Sequence, residues 1–218
     1  MTEWTRHYGC EITSHDRLWV VALNGELDGA AVPLIDAVLR AVQPGADQIA
    51  IDLHAVTFID SAAVGALAQG PVLLRPSAVA QRLLERCGAA GNIGTVAVPV
   101  APAQRHALVA TDRDGRITDF NEAASELFGW QTWEALGRPV ATVGICPSDE
   151  ALADQISLAV ARGETWDGEF DVLHRSGGAV RARVRELMLH DGAGRNAGLL
   201  RLCVAAPSVA GERLPQPM

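Results

Sequence analysis

The sequence predicts an α/β unit with a mixed sheet and helices, followed by an α+β unit with an antiparallel sheet and short helices. Three observations carry this. Apolar runs alternate with helical periods as far as Gly88; the stretch Gly88 to Gln104 has no charge and is broken by Gly91, Asn92, Gly94, Pro99 and Pro102; and from His106 the pattern changes to a hairpin, short helices and turn-separated strands. The 218 residues, 49% apolar and 20% charged, suit two cores of about 100 residues better than one. The boundaries read as 1–96, a linker at 97–105, 106–206, and a disordered tail at 207–218 with three prolines. Because the linker is proline-broken, the two units are expected to fold separately.

In the first unit, Leu18 to Leu23 is an apolar run ending in Asn24-Gly25, and Gln48 to Leu53 is a second strand with β-branched residues. Between them Pro33, Leu34, Ile35, Val38, Leu39 and Val42 mark one face of a helix, opened by proline and closed before Pro44-Gly45. After Phe58-Ile59 the chain turns into a small-residue helix with Ser61 expected as its N-cap. Pro71 to Leu74 gives a last strand, and Ser77 caps a helix that Gly88 stops.

In the second unit, Ala107 to Thr111 and Arg116 to Phe120 form a hairpin around Asp112-Arg113-Asp114-Gly115. Asn121, Thr132 and Ser148 are expected to cap three helices ending at Gly129, Gly137 and Gly163. Trp166 to His174, Val180 to Leu189 and Ala197 to Ala205 then read as a three-stranded meander with turns at Ser176-Gly177-Gly178 and Asp191-Gly192. Alternation puts Val180, Ala182, Val184, Glu186 and Met188 on one strand face and Arg181, Arg183 and Arg185 on the other. If the first face is the core, the Glu186 carboxylate needs a ligand or a buried donor; a bulge that shifts the frame is the alternative.

Composition narrows the functional classes. No stretch offers the roughly 20 apolar residues of a membrane helix, and Met1 to Cys10 lacks the apolar core of a signal peptide. A cytoplasmic protein, without membrane or nucleic-acid partners, is expected. Cys10, Cys87, Cys146 and Cys203 are scattered and include no CxxC, which argues against a disulfide framework or a zinc site. Net charge is −8, with 18 basic residues that are all arginine, so no phosphate-binding lysine exists. A Ser-His-Asp hydrolase built from Ser61, His54 and Asp60 is not expected, because IDSAA lacks the GxSxG elbow and both partners come from the same strand and turn. Walker, HExxH and kinase signatures are missing too, so no catalysis is expected.

GELD at 25–28, with the amphipathic helix after it and AIDLHAVTFIDSAAVGAL at 50–67, resembles the STAS domain of bacterial anti-sigma factor antagonists over roughly residues 10 to 96. The resemblance implies that Ser61 is a phosphoacceptor, with Asp28, Asp60 and Thr57 as its neighbours on a partner-facing surface and Thr57 as a second candidate acceptor. It also implies an anti-sigma factor or related serine kinase and a PP2C-type phosphatase as partners. A phosphate on Ser61 would meet the helix N-terminus and, unfavourably, the Asp60 carboxylate. Only nine residues separate Ser61 from Pro71, so the domain is read as shortened after the phosphosite helix.

ALVATDRDGRITDFNEAASELFGW at 107–130, EALGRPV at 134–140 and GETWDGEFDVLHRSGG at 163–178 resemble a PAS sensor domain over roughly residues 106 to 206. Phe128, Trp166 and Glu186 are the residues expected at a ligand pocket, with Trp166 either stacking on a ligand or filling the core. Cys146 stands in Gly-Ile-Cys-Pro, unlike the Asn-Cys-Arg-Phe of photoactive flavin members, and Asp149 to Arg162 has no histidine for heme. No cofactor is therefore expected, and a colourless small molecule suits the pocket. Together the resemblances imply a partner-switching signalling regulator controlled by serine phosphorylation and coupled to a PAS sensor. The alternative is a non-phosphorylated scaffold in which PAS alone senses a ligand or mediates homodimerisation.

Overall fold

The computed structural model describes residues 7–68, 71–96 and 102–206; most of the expected linker and the expected tail at 207–218 lie outside the described residues. The first unit contains strands β1 (Tyr8–His15), β2 (Leu18–Leu27), β3 (Gln48–Ile59) and β4 (Val72–Leu74), with helices α1 (Val32–Val42), α2 (Ser61–Leu67) and α3 (Ala78–Arg86). The second contains β5 (Gln104–Thr111), β6 (Ile117–Phe120), α4 (Glu122–Phe128), α5 (Thr132–Ala135), α6 (Glu150–Ala161), β7 (Trp166–Leu173), β8 (Ala179–His190) and β9 (Asn196–Ala205). Strand β2 pairs parallel with β3 because α1 carries the chain back across the sheet, and β1 pairs antiparallel with β2 through a tight turn at Asp16-Arg17.

The two units share one sheet. Its strand order is β4-β3-β2-β1-β5-β9-β8-β7, with β6 hydrogen-bonded to β5. The junction is the antiparallel pairing of Ile12, Thr13 and Ser14 on β1 with His106, Arg105 and Gln104 on β5. Gln104 and Arg105 therefore belong to a strand and not to a linker.

The strand period explains how the cores divide. On β5, β8 and β9, residues Leu108, Ala110, Leu187, Leu189, Leu200 and Leu202 belong to the same buried cluster as Leu34, Ile35 and Val38 of α1. The alternate positions Ala107, Val109, Ala182, Val184 and Cys203 pack with Phe120, Phe128, Ile156 and Val160 in a second core. The second unit's sheet is thus buried on both faces, one against its own helices and one against α1. Arg40 of α1 donates to the Met188 carbonyl at 2.9 Å, and Arg185 of β8 donates to the Ala41 carbonyl at 2.5 Å. Separate folding of the two units is not what this architecture supports, because 104–218 alone would present that leucine-rich face to water.

Three capping assignments differ from the sequence reading. Asp60, not Ser61, caps α2; Gln131, not Thr132, caps α5; and Asp149, not Ser148, caps α6 through the Ala151 and Leu152 N–H groups. In two of these cases an acidic side chain one position away outcompetes the hydroxyl as acceptor. Asn121 caps α4 and Ser77 caps α3 as expected.

Candidate functional site

The face around Ser61 is built by the end of β3. One Asp60 carboxylate oxygen accepts from the Ala63 N–H at 2.8 Å, and the other accepts from the Gly29 N–H at 3.0 Å. The Asp60 N–H in turn donates to the Leu27 carbonyl at 3.0 Å. Asp60 therefore staples the loop after β2 to the start of α2. Asp28 shapes the same loop by accepting from the Ala30 N–H at 2.9 Å. Ser61 is the first residue of the helix and is exposed, and no hydrogen bond to its hydroxyl forms among the described residues. Thr57 is exposed near the end of β3, and Phe58 beside it leaves 48% of its surface in water. The structure thus brings Asp28, Asp60 and Ser61 to one end of the first unit, with Thr57 further back on the same strand.

The second site is a cavity of about 260 Å³ between α6, β8, β9 and the segment around Cys146. Ile156, Val160, Met188 and Leu199 give it apolar walls, and the exposed Ser157 and Asn196 stand at its edge. Glu186 lines it as well, in register with Arg201 across β8 and β9. Both are buried, and they form a two-pronged ion pair: Arg201 Nε donates to Glu186 Oε2 at 2.7 Å and Nη2 to Oε1 at 2.9 Å. No bulge displaces Glu186, since the β8–β9 register holds until Leu189 and His190. Of the three expected pocket residues only Glu186 lines this cavity. Phe128 is fully buried against Phe120 with ring centroids 6.0 Å apart, and Trp166 packs on Phe170 at 5.9 Å, so both serve the core. Cys146 lies on the cavity wall, and burial raises its thiol above the ordinary value, with Arg201 lowering and Glu186 raising it in lesser degree.

Between the sites lies a set of residues that sequence reasoning missed. Glu11 of β1 accepts from the Glu122 N–H at 2.9 Å and from the Asn121 side chain at 3.3 Å, so a carboxylate of the first unit completes the helix start of the second. Burial raises the Glu11 carboxyl above its usual range. His106 hydrogen-bonds Ser14 at 2.9 Å and lies under Trp19 with ring centroids 4.3 Å apart. Burial, helped by the Arg185 charge, pushes its imidazole down to about 4. Sequence reasoning missed strand β1 itself, although the buried alternation of Cys10, Ile12 and Ser14 is a strand signal, and nothing local pairs Ser14 with a histidine 92 residues away.

Family comparison agrees with this geometry. A model described as STAS domain matches residues 10–98, and one described as PAS fold matches residues 103–202. The chain carries an N-terminal STAS domain and a C-terminal PAS domain. These are regulatory domains, and the chain is a signalling regulator of the sensor and anti-sigma-antagonist kind. No curated protein matches it. Among solved structures, a PAS domain from Colwellia psychrerythraea is similar at 24% identity and TM-score 0.43, covering 46% of this chain and 86% of that one. The light-state blue-light photoreceptor Aureochrome1 LOV is similar at 19% identity and TM-score 0.42, over 47% of this chain and 82% of that one. The light-state dimer of the fungal blue-light photoreceptor Vivid follows at 18% identity and TM-score 0.41, over 50% and 84%. Among the described residues, no helix is long and apolar enough to cross a membrane.

Proposed function

We propose that the protein is an anti-sigma factor antagonist-like, partner-switching regulator, controlled by phosphorylation of Ser61 and coupled to the PAS cavity. The observation that carries the reading is the exposed Ser61 hydroxyl, unengaged beside an Asp60 carboxylate that already holds the Ala63 and Gly29 N–H groups. A phosphate there adds about −1.5 to −2 charges next to Asp60 and Asp28. Repulsion at this spot, and loss of an apolar contact around Phe58, weakens docking of a partner that recognises the unmodified face. The partners fitting the scheme are an anti-sigma factor or related serine kinase that binds and modifies Ser61, and a PP2C-type phosphatase that resets it. The setting is cytoplasmic and the role non-enzymatic.

Strand β8 supplies the coupling. Its inward residues Glu186 and Met188 line the PAS cavity, while Leu187 and Leu189 pack in the cluster with α1. A ligand that shifts β8 therefore acts directly on the helix that follows the Asp28 loop. A PAS-mediated homodimer has to use surfaces other than the β8–β9 outer face, which α1 already covers.

The experiment is affinity capture from the source cells with wild type, Ser61→Ala and Ser61→Asp, followed by mass spectrometry of Ser61. Phosphate on Ser61, with a kinase-class partner retained by wild type and Ser61→Ala but released by Ser61→Asp, supports the reading. Equal capture by all three folded proteins contradicts it and leaves the scaffold alternative.

A further inference from the structure

Among the described residues, the most exposed of the large apolar side chains is Trp133 of α5, with 77% of its surface in water. The helix buries Ala135 in the second core, and Trp130 and Leu136 pack against that core, but Trp133 belongs to neither buried cluster. An indole left in water adds nothing to a core, and tryptophan together with arginine is the composition of interface hot spots. The surroundings of Trp133 are of that kind. Trp130, three residues earlier, carries the Arg138 guanidinium over its ring at 5.2 Å and the Arg175 guanidinium at 4.6 Å. Arg138 Nε donates to the Glu134 carbonyl at 2.6 Å, and Arg175 Nη1 donates to the Glu134 carboxylate at 2.6 Å. The same carboxylate accepts from the Gln131 N–H at 3.2 Å, so Glu134 is spent on holding the corner together. Both Nη groups of Arg138, and Nε and Nη2 of Arg175, have no hydrogen-bond partner among the described residues. Two flat cations held on one ring before a partner arrives lower the ordering cost of binding.

Charge selects the occupant. Arg138 and Arg175 outnumber Glu134, so this corner is positive on a chain whose total charge is −8. An acidic segment is attracted here and repelled by the chain as a whole, which gives it one place to dock. An extended chain sets side chains i and i+2 about 7 Å apart on one side, so two carboxylates at that spacing can reach two guanidiniums that share a ring. A single-stranded nucleic acid also stacks on tryptophan, but it calls for a continuous basic stripe, whereas the arginines here are interleaved with Glu134.

We propose that the α5 corner, made of Trp130, Trp133, Arg138 and Arg175, docks an acidic, extended segment of a partner protein, with carboxylates on the two guanidiniums and an apolar side chain on Trp133. This is a second interaction surface, carried by the PAS domain and built from residues other than those around Ser61. Trp133 supplies the buried apolar area, and the arginines set the preference for acidic over neutral sequences.

The test is titration of the full chain with a short peptide centred on Asp-Ser-Asp-Ser-Leu, its Asn-Ser-Asn-Ser-Leu counterpart and an oligothymidylate, followed by heteronuclear NMR at the Trp130 and Trp133 indole N–H groups. The acidic peptide should saturate both signals with an affinity at least about tenfold above that of the neutral peptide, the scale of one charge-assisted contact, and should weaken as salt rises. Trp133→Ser, at an exposed position, should weaken it by at least about tenfold, and Arg138→Gln should narrow the gap between acidic and neutral peptides. Equal affinity of the two peptides, unsaturable shifts, tighter binding of the oligothymidylate, or unchanged affinity in folded Trp133→Ser overturns the proposal. The acidic–neutral comparison on the wild-type chain decides the matter even if a variant does not fold. Partner capture through Ser61 is read in a separate experiment, so failure here is distinct from failure of the partner-switching reading.

Discussion

Replacing Asp60 and Ser61 in turn separates the residue that builds the phosphosite from the one that receives the phosphate. Asp60→Ala deletes the cap on the Ala63 N–H and the bond to the Gly29 N–H, at 2.8 and 3.0 Å. Loss of an N-cap costs about 0.5–2 kcal/mol, and the second, solvent-exposed bond adds about 0.5–1, for a total of about 1–3 kcal/mol. Asp60→Asn keeps one oxygen acceptor and remains a good cap, so it should lose only the Gly29 tether. Ser61→Ala removes an exposed hydroxyl at the first helical position and should stay within about 0.5 kcal/mol of wild type. Urea unfolding followed by circular dichroism measures all three. A Ser61→Ala loss equal to that of Asp60→Ala would show that the hydroxyl is the cap, and would refute the claim that it stands free for modification.

Two further perturbations address the junction. Leu187 is 2% exposed in the cluster it shares with α1, so Leu187→Ala should cost about 2–5 kcal/mol and lower hydrogen-exchange protection in β2 and β3 as well as in β8; protection lost only within 104–206 would contradict a shared core. His106, held neutral with its imidazole lowered to about 4, is protonated more readily in the unfolded chain, so its contribution is fully present above about pH 6.5 and is lost as pH falls toward 4, by up to about 1.4 kcal/mol per pH unit. Urea midpoints between pH 7 and 5 should fall more steeply for wild type than for His106→Gln, and parallel slopes would show that burial of this ring is not what is titrating.

Elements fixed by local chemistry were legible in the sequence. The Asn121 cap, the Asp112–Gly115 turn, the apolar stripe of α1 and the three-stranded meander each depend on residues within one or two turns of one another. What escaped depends on partners far along the chain. The Ile12–Ser14 pairing with β5 joins residues 90 to 94 positions apart, and the Glu11 contact with Glu122 spans 111. The leucines of GLLRLCVA read equally well as the core of a separate domain, because periodicity reports that a face is buried and not what buries it. At the sites, alternation placed Glu186 on the inner face, but its donor Arg201 emerged only from the β8–β9 register. Phe128 and Trp166 are large aromatics whose packing requirement was sufficient to explain them, and the structure uses them that way.

The central claim is that the STAS partner face and the PAS cavity belong to one cooperative body, joined through β1, β5 and α1. Differential scanning calorimetry of the full chain tests it most directly. The shared sheet and the common cluster predict a single transition whose calorimetric and van't Hoff enthalpies agree. Two resolved transitions, or a calorimetric enthalpy near twice the van't Hoff value, would show that the domains unfold independently and that β8 has no mechanical hold on the Ser61 face.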